Sequence, residues 1–290
     1  MRLLVTGAGG GLGRAFVDRV PAHHEMNAFT HAELDVGDHH AVVATVADVR
    51  PDLVVNLAAF TKVDENELDA DRAFRDNALA PQSLALAAHA VGAMLLHVST
   101  DYVFDGAKDT AYDETDVPDP ISAYGRAKLL GERLVRASLR EHVIVRTGYV
   151  YGGGSDYLSG QLARLRAGEP AAGLQDRVGS PTNVRHLADR LLPLVLAGRW
   201  GTFHLGGPEP ASWYETLLRC REIGGFDAPV EPQQADAVRL PAPRPRQSAL
   251  TSVLVHHLGV PPMPSLDDGL REAISSAEGP GPRASEASSG

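Results

Sequence analysis

One local pattern constrains this 290-residue chain more than any other. A short apolar strand, Arg2–Thr6, runs straight into Gly7-Ala8-Gly9-Gly10-Gly11-Leu12-Gly13. Residues 14–20 then follow with helical spacing of Ala15, Phe16 and Val20. Strand, glycine turn and helix, in that order, open a β-α-β unit of a parallel sheet. The glycines at 7, 10 and 13 let the backbone turn tightly and approach a pyrophosphate with no side chain between. The free N–H groups at the helix start then face the phosphates. A ligand-free glycine turn is the plain alternative. The flanking strand and helix favour a dinucleotide site on Gly7, Gly10, Gly11, Leu12 and Gly13.

The same pattern continues. A second strand is expected at Glu25–Phe29. An NAD-selective site usually offers a carboxylate to the ribose diol there. Here Phe29-Thr30-His31 supplies none, while Arg14 beside the last glycine can reach a 2′-phosphate. NADPH is therefore expected, with NADH as the alternative. Asp35 and Val36 are placed to touch the adenine edge, and Asp35 could instead cap the helix His39–Val49. Residues 53–57 form a continuous apolar run, as buried parallel strands do. Leu57, Ala58, Ala59 and Thr61 follow at its end, small enough for backbone to lie against a nicotinamide ribose. Residues 68–91 read as one long helix. Asn77 inside it either bonds a neighbouring strand or faces solvent. Strands at 93–99 and 141–147 complete a regular alternation, which argues for a doubly wound parallel α/β sheet.

After Gly152 the alternation stops. Helices are expected at 156–167 and Val184–Leu196, a strand within 201–207, and a Ser212-capped helix to 221. This divides the chain into an NADP(H)-binding Rossmann domain, 1–152, to which 183–200 returns, and a substrate-binding lobe, 153–278. Residues 279–290 are Gly/Ser/Glu/Pro-rich and read as a disordered tail.

Composition removes several classes. The net charge of −10 and the lack of a basic run speak against nucleic-acid binding. No segment approaches membrane-spanning length. One cysteine, Cys220, allows no internal disulfide and fits a reducing compartment. A soluble cytoplasmic protein is expected, with a small molecule rather than a macromolecule as its partner.

The chemistry is carried by residues 97–128. Ser99 and Thr100 end a buried strand, and Tyr124 and Lys128 lie four apart on one helix face. A phenol with a pKa near 10 is a poor proton donor or acceptor at neutral pH. A neighbouring ammonium favours the phenolate and brings the group towards the working range. Thr100 can then hydrogen-bond a substrate oxygen while Tyr124 protonates the forming alkoxide. Lys128 can hold a nicotinamide ribose beside Ser99.

With these elements in place, the sequence resembles the dTDP-4-dehydrorhamnose reductase family of extended short-chain dehydrogenase/reductases. The matching residues are Thr6 to Gly10, Leu34-Asp35-Val36, Asn56 to Ala59 with Thr61 and Val63-Asp64, Val98 to Gly106, and Tyr124 to Lys128 with Gly131-Glu132. Arg146-Thr147, Gly179 to Thr182, and Arg244-Pro245 with Ser248 complete the set. The resemblance implies NADPH-dependent reduction of a nucleotide-linked 4-keto-6-deoxyhexose, with Thr100, Tyr124 and Lys128 as the triad. It implies sugar contacts from Val63, Thr100, Asp101, Tyr102, Tyr124, Tyr149, Thr182 and Arg244. Similar dehydratases follow the threonine with an Asp-Glu pair; here Tyr102 follows Asp101, which favours reduction over elimination. Ala15 stands where some members carry a glutamate for a magnesium-linked dimer contact, so no metal is expected, while a homodimer stays open. Tyr149 replaces a common tryptophan, and Arg177 a common glutamine, which leaves the sugar open. Two other readings share these motifs: a non-catalytic NADP-binding regulatory subunit, resembling that of methionine adenosyltransferase, and a sugar-nucleotide epimerase.

Overall fold

The computed structural model describes residues 1–276, so the tail expected at 279–290 lies outside the described residues. Five parallel strands, β1 Arg2–Thr6, β2 Glu25–Phe29, β3 Leu53–Asn56, β4 Met94–Thr100 and β5 His142–Thr147, form the sheet with an edge strand, Gly201–His204. The order is edge strand, β5, β4, β3, β1, β2, with every pair parallel. The strand order reverses at β1, between β3 and β2. Open sheets of this type bind ligands beyond the carboxyl ends of their strands at such a switch point.

The interior strands are apolar on both faces, so helices must cover both. Helix α1, Gly11–Val17, packs on one face. Helices α2, His39–Val49, and α5, Ala80–Val91, pack on the other, with α6, Ala123–Ser138. On the α1 side, Leu3, Val5, Val55 and Val145 meet Phe16, Leu187 and Leu191, all at most 2% exposed. Asp38 caps α2 by accepting from the N–H groups of His40 and Ala41. Asp35, the alternative cap in the sequence, instead accepts from Gly37 N–H within its own turn.

The helix expected at 68–91 is broken. Two short helices, α3 Val63–Leu68 and α4 Ala70–Phe74, precede a π-helical turn, Arg75–Leu79, and only then α5. Asn77 sits in that wide turn, fully buried rather than solvent-facing. Its amide holds the loop after β3: Oδ1 accepts from Phe60 N–H, and Nδ2 donates to Phe60 O and Asn66 Oδ1, all near 3.0 Å. Satisfying those buried backbone groups offsets the irregular turn.

Helix α8, Val184–Leu196, returns to the sheet beside α1, and the edge strand Gly201–His204 follows it. The return therefore runs past residue 200. Before and after these segments, helices α7, Tyr157–Arg166, and α9, Trp213–Gly224, share a smaller core. It contains Tyr151, Leu158, Leu162, Leu217, Cys220 and Leu270.

Candidate active site

A cleft of about 560 Å³ lies at the ends of β1, β2 and β3. Gly7, Gly10, Thr30, Asp35, Val36, Leu57, Ala58 and Ala59 line it. Gly7 has φ +70°, and a Cβ there would sit 2.6 Å from Ala58 N. A Cβ on Gly13 would collide with the Gly7 carbonyl. These two glycines are needed for the turn and β3 to close on one another. Gly10 caps α1 without a side chain, which leaves the first-turn N–H groups open at the Gly9–Gly10 edge of the cleft.

Beside this cleft, β4 delivers Thr100, and Ser122 caps α6 so that Tyr124 and Lys128 face the strand end. The three side chains are 5%, 8% and 1% exposed. Burial raises the Tyr124 phenol to about 12; the neighbouring Thr100 side chain opposes this, and the Asp101 charge adds to it. Lys128 does not contribute. Its Nζ donates to the Val98 carbonyl at 2.7 Å, 3.4 Å from His97 Nε2. Burial draws the lysine down to about 8, against the favourable charge of Glu132. The expected lowering of the phenol by the ammonium is thus not what the side chains do: α6 turns Lys128 to β4.

Asp101 is buried behind Thr100. Its Oδ1 accepts from Thr100 Oγ1 at 3.0 Å and its Oδ2 from Ser248 Oγ at 2.5 Å. Burial lifts this carboxyl to about 7. Tyr102 turns edge-on to Tyr124 with ring centres 6.1 Å apart. Nearby, Tyr149 stacks on Trp213 at 4.8 Å, and a Cβ on Gly179 would meet the Tyr149 ring at 2.6 Å. Tyr149 holds φ +47° to present that ring, a left-handed backbone that tyrosine adopts at a cost. Arg244 grips Asp64 beside Val63 at the start of α3, joining the lobe to the Rossmann half.

The fold recurs in known proteins. The family model described as RmlD substrate binding domain matches residues 1–278. A dTDP-4-dehydrorhamnose reductase of Mycolicibacterium smegmatis is 38% identical over 96% of this chain and 86% of its own. The chain belongs to the dTDP-4-dehydrorhamnose reductase family. A probable dTDP-4,6-dihydroxy-2-methyloxan-3-one 4-ketoreductase of Streptomyces antibioticus is also 38% identical, over 94% of this chain and 95% of its own. The solved dTDP-4-dehydrorhamnose reductase of Bacillus anthracis, in complex with NADP, superposes with a TM-score of 0.91 at 30% identity. That match covers 95% of this chain and 99% of the other.

For this member of the reductase family, several residues singled out in the sequence stand behind the site rather than in it. Ser99 donates to Glu132 Oε1 at 2.7 Å, away from the cleft. Thr182 is fully buried, its hydroxyl donating to Ser180 O and accepting from Gly207 N–H. Gly11 packs on Gly153, and Arg14 donates to the carbonyls of Gly9 and Gly153, so it fastens the glycine turn to the lobe. Leu12 packs into the core below, and Thr61 is exposed.

Other residues escaped the sequence reading. Arg72 lines the cleft over the Phe60 ring, 4.0 Å from its centre, with Asp76 beside it. Trp213 completes the aromatic wall. Beneath β4, Arg146 donates to both Glu132 oxygens at 2.9 and 2.7 Å in a pair at most 3% exposed. Arg146 and Glu132 stood in the resemblance without a role. Arg72 and Trp213 have no local signature, because only tertiary packing brings them to the opening. Among the described residues, no group of three or more His, Cys, Asp or Glu side chains is placed to hold a metal ion, and no helix is long and apolar enough to cross a membrane.

Proposed function

We propose that this protein reduces the 4-keto group of a dTDP-linked 4-keto-6-deoxyhexose with NADPH. The observation that carries the reading is the buried Thr100–Tyr124 pair at the end of β4, the strand beside β3, where the glycine-walled cleft lies. The residues present fit the cofactor: Gly7, Gly9 and Gly10 line the cleft without side chains, at the switch point of the sheet. Gly7, Gly10 and Ala58 would hold the diphosphate and ribose side, Val36 and Asp35 the adenine. Arg72, which lines the same cleft, would supply a positive charge to a 2′-phosphate. When bound, the dihydronicotinamide supplies a hydride.

The chain's own residues do the rest. Thr100 hydrogen-bonds the ketone oxygen and orients it. Tyr124 stays protonated throughout the neutral range because burial raises its phenol, and it gives that proton to the oxygen as alkoxide character develops. Lys128 holds the ribose side of the site. Tyr149, backed by Trp213, forms an apolar wall for the sugar, and Arg244 supplies positive charge near its diphosphate. The buried thiol of Cys220, the one cysteine of the chain, supports a reducing, cytoplasmic setting.

An NADPH-oxidation assay over a panel of dTDP-4-keto-6-deoxysugars tests the reading, with product configuration read by NMR. Reduction of at least one ketosugar at C4 is expected. Tight NADP binding with no oxidation on any of them would favour the regulatory-subunit reading.

A further inference from the structure

A buried chain of polar groups reaches Lys128 from β1. Thr6 Oγ1 donates to Asn56 Oδ1 at 2.8 Å, Asn56 Nδ2 lies 2.9 Å from His97 Nδ1, and His97 Nε2 lies 3.4 Å from Lys128 Nζ. All four residues are at most 1% exposed. The reaction outlined above uses none of the first three.

The direction of these bonds follows from one group whose polarity is covalently fixed. Ala58 N–H donates to Asn56 Oδ1 at 3.2 Å. A backbone N–H can only donate, so this atom of Asn56 is its oxygen. Asn56 then turns its NH₂ to His97 Nδ1, which must accept. A neutral His97 therefore carries its proton on Nε2, aimed at Lys128. Lys128 already donates to the Val98 carbonyl. An uncharged amine keeps a lone pair that accepts from Nε2–H. An ammonium has no lone pair and sets donor against donor.

We propose that His97, fixed as the Nε2–H tautomer by Asn56, is a positioning residue that favours the uncharged amine of Lys128 and so sets the pH at which this lysine takes up its proton. The proposal rests on Lys128 lying at the reacting centre, as argued above. Burial acts in the same direction, and it also holds His97 well below the ordinary histidine range. The opposing group is Glu132 on the same helix, whose charge is matched by Arg146 from β5 and by Arg136. Among the other acids on elements packed against α6, Asp64 of α3 pairs with Arg244 and Glu67 with Arg126. Asp76 of the π-helical turn pairs with Arg72 and Arg75, and Asp101 after β4 bonds Thr100 and Ser248.

The test reads the side chains directly. The chain has three lysines, Lys62, Lys108 and Lys128, so the Nζ signals of ¹⁵N-lysine-labelled protein can be followed through a pH titration. His97→Asn keeps an acceptor for Asn56 and deletes the atom facing Lys128. His97→Gln places an amide N–H back near the Nε2 position. Lys128 should titrate about one pH unit higher in His97→Asn, a tenfold change in proton binding, and return towards wild type in His97→Gln. The His97 nitrogen shifts of the wild type should report the Nε2–H tautomer. An unmoved Lys128 titration in folded His97→Asn, or an Nδ1–H tautomer in the wild type, would overturn the proposal. Should both variants fail to fold, the wild-type tautomer decides alone. Neither readout needs turnover, so a protein inert on every ketosugar would count against the proposed reaction and leave this test standing.

Discussion

Arg244 holds both carboxylate oxygens of Asp64, at 2.9 and 2.8 Å, from 180 residues away in the chain. The same carboxylate accepts from Ala242 N–H. This fork is where the segment after the lobe closes onto the start of α3. The bidentate geometry keeps the Asp64 carboxyl below its ordinary range and keeps Arg244 near Tyr102 and Tyr149.

Asp64→Asn should therefore leave the fold largely intact, because the pair is partly exposed and contributes about 1 kcal/mol or less to stability. It should raise KM for the sugar nucleotide by about tenfold, since Arg244 loses its fixed position. Steady-state kinetics with separate kcat and KM values check this. An unchanged KM would remove Arg244 from the sugar side.

Tyr124→Phe should lower kcat by about 10²–10⁴-fold, the usual worth of a positioned proton donor. The ring and its packing on Tyr102 are retained, so NADPH affinity should stay near wild type when measured by fluorescence titration. Turnover near the wild-type rate would take the proton-transfer role away from Tyr124.

Gly179→Ala tests the aromatic wall. The new Cβ would sit 2.6 Å from the Tyr149 ring, which is already stacked on Trp213. The ring must shift, at a cost of about 1–3 kcal/mol. A lowered Tm and weaker sugar binding are expected, with cofactor binding unaffected; a variant with wild-type KM would show that Tyr149 does not touch the sugar.

Asp101 gives a pH-dependent signature. Its folded pKa, about 7, lies above its ordinary 3.8, so the folded protein binds this proton more tightly than the unfolded chain does. The stability it contributes is complete below pH 3.8 and is lost as pH rises through 7. Asp101→Asn carries no such titration. Thermal unfolding of both proteins should show the variant gaining on wild type, by a few kcal/mol on the order-of-magnitude scale, between pH 4 and pH 8. A constant difference across that range would mean that Asp101 ionises normally.

The comparison of sequence with structure divides along the range of the interactions. The glycine turn, the helix that carries Tyr124 and Lys128, and the apolar β3 are set by neighbours in the chain, and all are legible from spacing alone. So is the doubly wound parallel sheet. The π-helical turn around Asn77 is not, because it exists to satisfy Phe60, 17 residues away. Ser99 was assigned to the cofactor from its place beside Thr100, yet alternation along the strand sends it to Glu132 on the opposite face. The orientation of Lys128 was missed for a related reason. Helical spacing places it on the face of Tyr124, but a Val98 carbonyl and His97, set by strand pairing, decide where its Nζ goes.

The central claim is hydride delivery to a sugar carbonyl, with Tyr124 supplying the proton. Its most direct test uses NADPH deuterated at the transferable position of nicotinamide C4, with a dTDP-4-keto-6-deoxyhexose and the wild-type protein. The expected result is one deuterium at C4 of the sugar for each NADPH oxidised, in a single configuration. NADPH left unoxidised while the sugar is epimerised or unchanged would contradict the assignment.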